Sequence, residues 1–423
     1  MLESPNGQLS KSRRRVAIAA LLLLTALNFF NYIDRSVLAA VQPLIQKEFH
    51  RSDADMGFLT SVFFGFYMCT APFLGVLADR MTRKVLVAAG GVLWSGATFL
   101  TAITHTYDQL LLRHTVVGVG EATFVTIAPA FIADLFPEQV RGRMLSIFYL
   151  AIPVGTAMGY LLGGFLGPRS GWRAPFLVAG IPGFALALGM LLIPEPKRGQ
   201  SDLLHPTIER TTLAGLLVNK PYWTASMGMA MLTFAQGGVA VWMPTFLSRV
   251  RGMSLLNANY VFGGILFFDG IVAVLLGGWL GDWLLTRRRD AYYLVSAWGM
   301  FAALPFIAVA VFHRGVLMYP AMLLASFFLL LNTGPLNAAM INAVGAPIRA
   351  TAVAVNLFTI HILGDVPSPL LMGWISDHSS LEFAFIPVIV ASAISGAILI
   401  YGMRFAPEVP VNKNEVSPAS AAN

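Results

Sequence analysis

The chain has 423 residues, 57% of them hydrophobic and 12% charged, with a mean hydropathy of +0.70. A soluble domain of this size does not carry so apolar a composition, so the chain reads as an all-α, polytopic membrane protein. The net charge of +7 sits in loops and does not indicate nucleic acid, and a single cysteine, Cys69, excludes an intrachain disulfide and is expected as a small core residue.

Twelve apolar runs predict spanning helices at about 16–41, 54–78, 84–104, 107–136, 143–167, 173–193, 221–248, 257–283, 291–312, 316–342, 350–375 and 382–405. The first is too long for a signal-peptide core and carries Asp34, so it is read as retained. The tails and even-numbered loops hold nineteen Lys and Arg, the odd-numbered loops seven, and Arg35 and Arg113 remain inside spans. The positive-inside rule then puts both termini in the cytoplasm. The compact tails fit a cell membrane of bacterial type, and the short loops leave no room for a soluble enzymatic domain.

Residues 194–220 form the longest polar stretch between spans. They divide an N-terminal six-helix half, 1–193, from a C-terminal half, 221–406, followed by a cytoplasmic tail, 407–423. The halves resemble each other. Gly75-Val-Leu-Ala-Asp79-Arg80 ends the second span and Gly278-Trp-Leu-Gly-Asp282 ends the eighth, and both run into arginines. Pro137 to Arg141 precedes the fifth span, as Pro347 to Arg349 precedes the eleventh. Repeated halves of this kind imply alternating access, with substrate bound near the midplane between them.

Charged side chains inside the spans mark the candidate site, because each costs about 2.5–3.5 kcal/mol at mid-membrane. Asn31-Tyr32-Ile33-Asp34-Arg35 places an acid and a base in the first span. The fourth carries Arg113-His114 and, seven residues after His114, Glu121, on the same helix face with Gly118 between them. A buried acid is the residue type that proton coupling needs; a structural tie between Glu121 and Arg35 is an equally compatible role. In the eleventh span His361 and Asp365 are four apart and can touch, while Pro367 and Pro369 break the helix beside them. Asn356 is expected to face the same cavity. Asp269 in the eighth span either lines the C-half cavity or bonds a neighbouring helix. Gln236, Asn332, Asn337 and Asn342 read as interhelical glue.

The stretch Gly75-Val-Leu-Ala-Asp79-Arg80-Met-Thr-Arg83-Lys84 resembles the loop signature of the major facilitator superfamily, with Thr82 where that pattern has Gly. Further pieces narrow the resemblance: Asn31 to Arg35, Gly118-Val-Gly-Glu121-Ala, Ile127-Ala-Pro129, Ile132-Ala-Asp134-Leu-Phe136, Arg143 to Tyr149, Ala151-Ile-Pro153-Val-Gly155, and His361-Ile-Leu-Gly-Asp365-Val-Pro-Ser368-Pro369. Together they resemble the spinster family. That resemblance implies a twelve-helix, two-half, monomeric carrier of lysolipids or sphingoid phosphates, driven by a proton gradient and needing no other cofactor or metal. Asp34 and Glu121 match the family's acidic positions and Arg35 its adjacent base. The family's arginine seven residues before the glutamate is His114 here, with Arg113 one position earlier. Either Arg113 takes that role or a titratable histidine replaces a fixed charge.

The expected proton-coupling residues are therefore Asp34 and Glu121. The expected substrate contacts are Tyr32, Arg35, Arg113, His114, Asp269, Asn356 and His361, with an acyl chain in an apolar C-half cavity. The expected latch comprises Gly75, Asp79, Arg80, Arg83, Gly278, Asp282 and Asp365. The expected partners are protons, membrane lipids and an amphipathic or anionic substrate. Two alternatives stand beside this reading: a carrier of a small organic anion such as a sugar acid, and a lipid-responsive sensor without flux. An enzyme is disfavoured, since no nucleophile elbow, zinc motif or phosphate loop occurs.

Overall fold

A computed structural model describes residues 11–136, 138–197, 213–344 and 348–407. The central part of the expected linker, 198–212, and the tail from 408 onward lie outside the described residues. Twelve described helices are long and apolar enough to cross a membrane. They are α1 (Arg14–Phe49), α2 (Asp53–Ala78), α3 (Arg83–Thr101), α4 (Tyr107–Leu135), α5 (Arg143–Ser170), α6 (Ala174–Leu192), α7 (Lys220–Arg249), α8 (Leu255–Leu285), α9 (Ala291–Phe312), α10 (Met318–Asn342), α11 (Thr351–His378) and α12 (Phe383–Phe405). No strand occurs among the described residues. α1 runs well past its expected end at 41, continuing through Pro43 to Phe49.

Two spans are interrupted. α10 breaks at Leu331 and Asn332, between helical segments Met318–Leu330 and Thr333–Asn342. α11 widens into a π turn over His361–Asp365. Pro367 and Pro369 have no N–H to give to the preceding turn, so the chain adopts the wider ring there and resumes as an α-helix from Pro367.

In a bilayer, helices associate through close packing more than through hydrophobic burial. α5 presents Gly155, Gly159 and Gly163 at four-residue intervals to α1. A Cβ at Gly159 would stand 2.7 Å from the Ile33 carbonyl oxygen. This glycine ridge seats α1 against α5 and thereby sets where Asp34 and Arg35 stand.

The side on which α1 begins and α12 ends is here called the terminal face, the other the distal face. At the distal face the halves are joined along two seams. In the α2–α11 seam, Gly57 lies under the Pro369 carbonyl and Gly373 under that of Asp53. In the α5–α8 seam, Gly164 packs on Asn259, whose Nδ2 also donates to the Ala40 carbonyl of α1 at 3.0 Å, and Gly270 packs on Pro153. The described seams extend to Tyr67 and His361 on one side and to Pro153 and Gly270 on the other. Closer to the terminal face, Phe73, Val76, Leu275, Trp279, Leu357 and Phe358 are exposed.

Candidate functional site

Between the halves lies a cavity of about 250 Å³. The N-terminal half supplies Tyr32, Asp34, Arg35, Phe63, Thr98, His114, Glu121 and Tyr160 to its wall, and the C-terminal half supplies Gln236, Ala240 and Asp365 among others. Its centre is an ion pair: Arg35 Nε on α1 donates to Glu121 Oε2 on α4 at 2.6 Å. The Glu121 side chain is fully buried and that of Arg35 is 17% exposed. Three aromatic rings surround the guanidinium, with Tyr32, Phe63 and Tyr67 centroids at 5.0, 5.4 and 5.1 Å. Cation–π contact of this kind is worth up to about 2 kcal/mol where water is displaced.

Local packing explains the assembly. Gly118 on α4 faces the Phe63 carbonyl, where a Cβ would come within 2.6 Å. Helix α2 thus packs directly on Gly118, which brings Phe63 over both Arg35 and His114. His114 stacks on Phe63 at 5.0 Å and 27° and lines the cavity. Arg113 points elsewhere, bonding the Leu100 carbonyl and Thr104 Oγ1 at the end of α3. One residue is 100° of helix rotation, and the cavity position belongs to the histidine.

Asp34 does not pair with Arg35. Its Oδ2 accepts from Thr98 Oγ1 of α3 at 3.1 Å, because neighbours in a helix project in different directions. Asp34 Oδ1, Glu121 Oε1 and Arg35 Nη2 have no hydrogen-bond partner among the described residues. All three atoms belong to cavity-lining side chains, so the site holds unused acceptors and an unused donor together.

On the opposite wall stands Asp365, whose Oδ2 is 2.5 Å from His361 Nδ1 across the π turn; His361, expected as a substrate contact, lines neither cavity. The imidazole rests against Phe64 and Tyr67 of α2, with centroids at 5.7 and 5.9 Å. Asp365 lines the cavity, facing Gly237 of α7. The dyad therefore stands where α11 meets the other half.

A second cavity of about 190 Å³ lies within the C-terminal half. Its wall is almost wholly apolar, including Met243, Phe262, Ile265, Leu266, Met322 and Leu329. Thr156, Gln236 and Ala240 line both cavities and form the neck between them. Gln236 is thus a cavity residue rather than interhelical glue alone.

Several expected residues stand away from this site. Asn356 is buried, 3.7 Å from Met229 Sδ, and lines neither cavity. Asp269 is fully buried outside both linings, and neither of its carboxyl oxygens has a hydrogen-bond partner among the described residues. Cys69 is exposed on α2 and is not a core residue.

At the terminal face Arg83 is buried within its own half. It bonds Asp134 at 2.5 Å, Glu195 Oε1 at 3.1 Å and the Pro196 carbonyl at 3.1 Å. It therefore fastens α3 to α4 and to the segment after α6, and in this conformation is a staple rather than a contact between halves. Asp282 accepts from the Tyr292 hydroxyl of α9 at 2.7 Å, also within one half. Arg80 is exposed, Gly75 approaches Thr126 of its own half, and a Cβ at Gly278 would meet nothing within 4 Å. The side chain of Asp79 lies outside the described residues.

The latch that sequence reasoning missed is at the distal face. Arg249 of α7 makes a two-pronged ion pair with Asp53 at 2.5 and 2.9 Å. Asp377 of α11 accepts from the backbone N–H of Asp53 and Ala54 at 2.8 and 2.7 Å, closing the positive end of α2. Charges on short loops after α1 and α7 gave no signal that they would meet across 196 residues. Among the described residues, no cluster of three or more His, Cys, Asp or Glu is arranged to hold a metal ion.

Comparison with known proteins defines the class. The Major Facilitator Superfamily model matches residues 24–366. A solved bacterial homologue of the human lysosomal transporter Spinster, inward-facing and unoccupied, superposes with a TM-score of 0.85 at 23% identity, over 94% of this chain and 98% of that one. The fold is that of a multi-pass transporter and not of an enzyme. A sphingosine-1-phosphate transporter of Xenopus tropicalis is 34% identical over 396 residues, 89% of this chain and 77% of that protein. Spinster homolog 3 of Danio rerio is 34% identical over 89% of this chain and 81% of its own length, and human spinster homolog 1 is 35% identical over 88% and 74%. The chain belongs to the spinster family of the major facilitator superfamily.

Proposed function

We propose that the protein is a proton-coupled transporter of single-chain amphipathic anions, of the lysophospholipid or sphingoid-phosphate type, working by alternating access. The observation that carries this reading is the pairing of cavities. A polar chamber built around Arg35 adjoins an apolar chamber of similar size, and three residues line both. An anionic head group fits the first and an alkyl chain the second. The name of the Xenopus relative, a sphingosine-1-phosphate transporter, supports the same substrate class.

The coupling follows from the ion pair. While Glu121 is ionised it occupies Arg35, and a head group must compete with it. Protonation of Glu121 releases the guanidinium, so a proton and an anion favour each other's binding. Asp34, on its separate bond to Thr98, is the second proton carrier. Tyr32 and His114 complete the head-group wall, and the His361–Asp365 dyad, beside the helix break, is the gate of the C-terminal half.

The charge asymmetry of nineteen against seven supports a cytoplasmic terminal face, and we take the protein as a monomer in a cell membrane. On that assignment the latch at Asp53 seals the outer face. Gly75, Asp79, Arg80, Gly278 and Asp282 form the corresponding inner latch when the halves rock the other way.

The test is flux in proteoliposomes, comparing a labelled lysophospholipid with a hexuronate. Movement of the lysophospholipid alone is expected. Movement of the hexuronate instead would make the substrate a small polar anion, and stoichiometric lipid binding without flux would make the protein a sensor.

A further inference from the structure

The neck between the cavities is built from both halves. Thr156 belongs to α5 and Gln236 and Ala240 to α7. The Tyr160 hydroxyl of α5 donates to the Ala240 carbonyl at 2.7 Å and pins the two helices at this point. Gln236 has a further tie. α10 is interrupted at Leu331 and Asn332, and the Leu329 carbonyl just before the break accepts from Gln236 Nε2 at 3.2 Å. That bond uses one of the two amide N–H donors and fixes which way the amide faces. The amide oxygen is then the group Gln236 offers to the neck, an acceptor between a charged chamber and an apolar one.

We propose that Gln236 is a specificity-determining residue that accepts a hydrogen bond from a hydroxyl placed between the head group and the chain of the substrate. This deepens, and rests on, the amphipathic reading above. The favoured substrate has an anionic head, one chain, and an O–H donor a few bonds from the head. A glycerol backbone with one free hydroxyl and a sphingoid 3-hydroxyl both have this form. A simple alkyl phosphate does not. A site built to bond a hydroxyl disfavours the analogue lacking it, because its own acceptor then loses that partner.

The experiment uses two probes in proteoliposomes of the full chain: a 1-acyl lysophosphatidate and its 2-deoxy counterpart, a 1-acyl propane-1,3-diol phosphate. The wild type is expected to favour the hydroxylated probe by about tenfold. Gln236→Met is expected to bring the hydroxylated probe down to the level of the deoxy probe and to leave the latter within about twofold of wild type, which also reports that the variant is folded. Gln236→Glu keeps an acceptor and is expected to retain the preference. An equal fall for both probes in Gln236→Met would overturn the proposal and leave Gln236 only as a tie to the broken α10. Equal transport of both probes by the wild type would overturn it while leaving the amphipathic reading intact. Movement of neither probe by the wild type would overturn both.

Discussion

Asp53 at the start of α2 and Arg249 at the end of α7 hold the two halves together by a two-pronged ion pair at the distal face. Ser376 Oγ and Gln46 Nε2 each add a bond to the same carboxylate at 2.5 Å, and Asp377 closes the helix end behind it. Asp53 is 3% exposed, so these partners take the place of water around it.

Arg249→Ala is therefore expected to shift the protein toward a conformation open at this face. The Arg249 side chain is 41% exposed, which limits the effect to about 1 kcal/mol, or roughly fivefold in the population ratio. Double electron–electron resonance between spin labels at Arg51 and His378 reads the change, with Cys69 replaced. An unchanged distance distribution would show that the seam glycines alone hold the closure.

The glycine ridge of α5 is expected to be intolerant. Gly159→Val would drive side-chain atoms into the Ile33 carbonyl and Ser36, displacing α1 together with Asp34 and Arg35. Overpacking of this kind costs about 1–3 kcal/mol, and melting of the purified protein in detergent measures it. Gly96→Ala is the matching control, since a Cβ there meets nothing within 4 Å.

His114→Arg would put a second permanent cation in the chamber wall, on Phe63 and beside Arg35. Binding of a lysophosphatidate at pH 7.5 is expected to tighten by about tenfold, as one additional charge-assisted hydrogen bond would give. Unchanged affinity by isothermal titration would place the head group away from His114. Arg113→Ala is expected to leave affinity unaltered, because that side chain is tied to the end of α3.

Arg83→Ala removes the guanidinium that joins Asp134, Glu195 and the Pro196 carbonyl in a nearly closed setting. A loss of about 3 kcal/mol is expected, in the range for breaking a buried pair. Arg83→Lys restores little of it, since one ammonium cannot span three acceptors in the plane of a fork. Melting temperatures of the two variants check both statements.

Much of this architecture was legible in the chain itself. Span positions follow from hydropathy, and Arg35 and Glu121 stand out because charge in a membrane is expensive. The contact of His361 with Asp365 follows from a spacing of four on a helix. What could not be read depends on small rotations or long-range encounters. Whether Arg113 or His114 faces the cavity is a matter of 100°. Asp53 and Arg249 looked like ordinary loop-end charges until the halves brought them together. Asn356 and Gln236 are both amides in C-half spans; only the helix crossings decide that Gln236 reaches the neck while Asn356 is buried against Met229. Arg83 sits in a loop motif that suggested contact between halves, yet the acids nearest to it are Asp134 in its own half and Glu195 in the segment just after α6.

The most direct test of coupling through the Arg35–Glu121 pair is lysophospholipid flux in proteoliposomes across an imposed pH gradient, for wild type and Glu121→Gln. Glutamine imitates the protonated acid and leaves Arg35 permanently free. Coupling through Glu121 predicts gradient-stimulated flux in the wild type and a several-fold loss of that stimulation in Glu121→Gln, with only the part carried by Asp34 remaining. Undiminished stimulation in Glu121→Gln would contradict it and move proton coupling to another group.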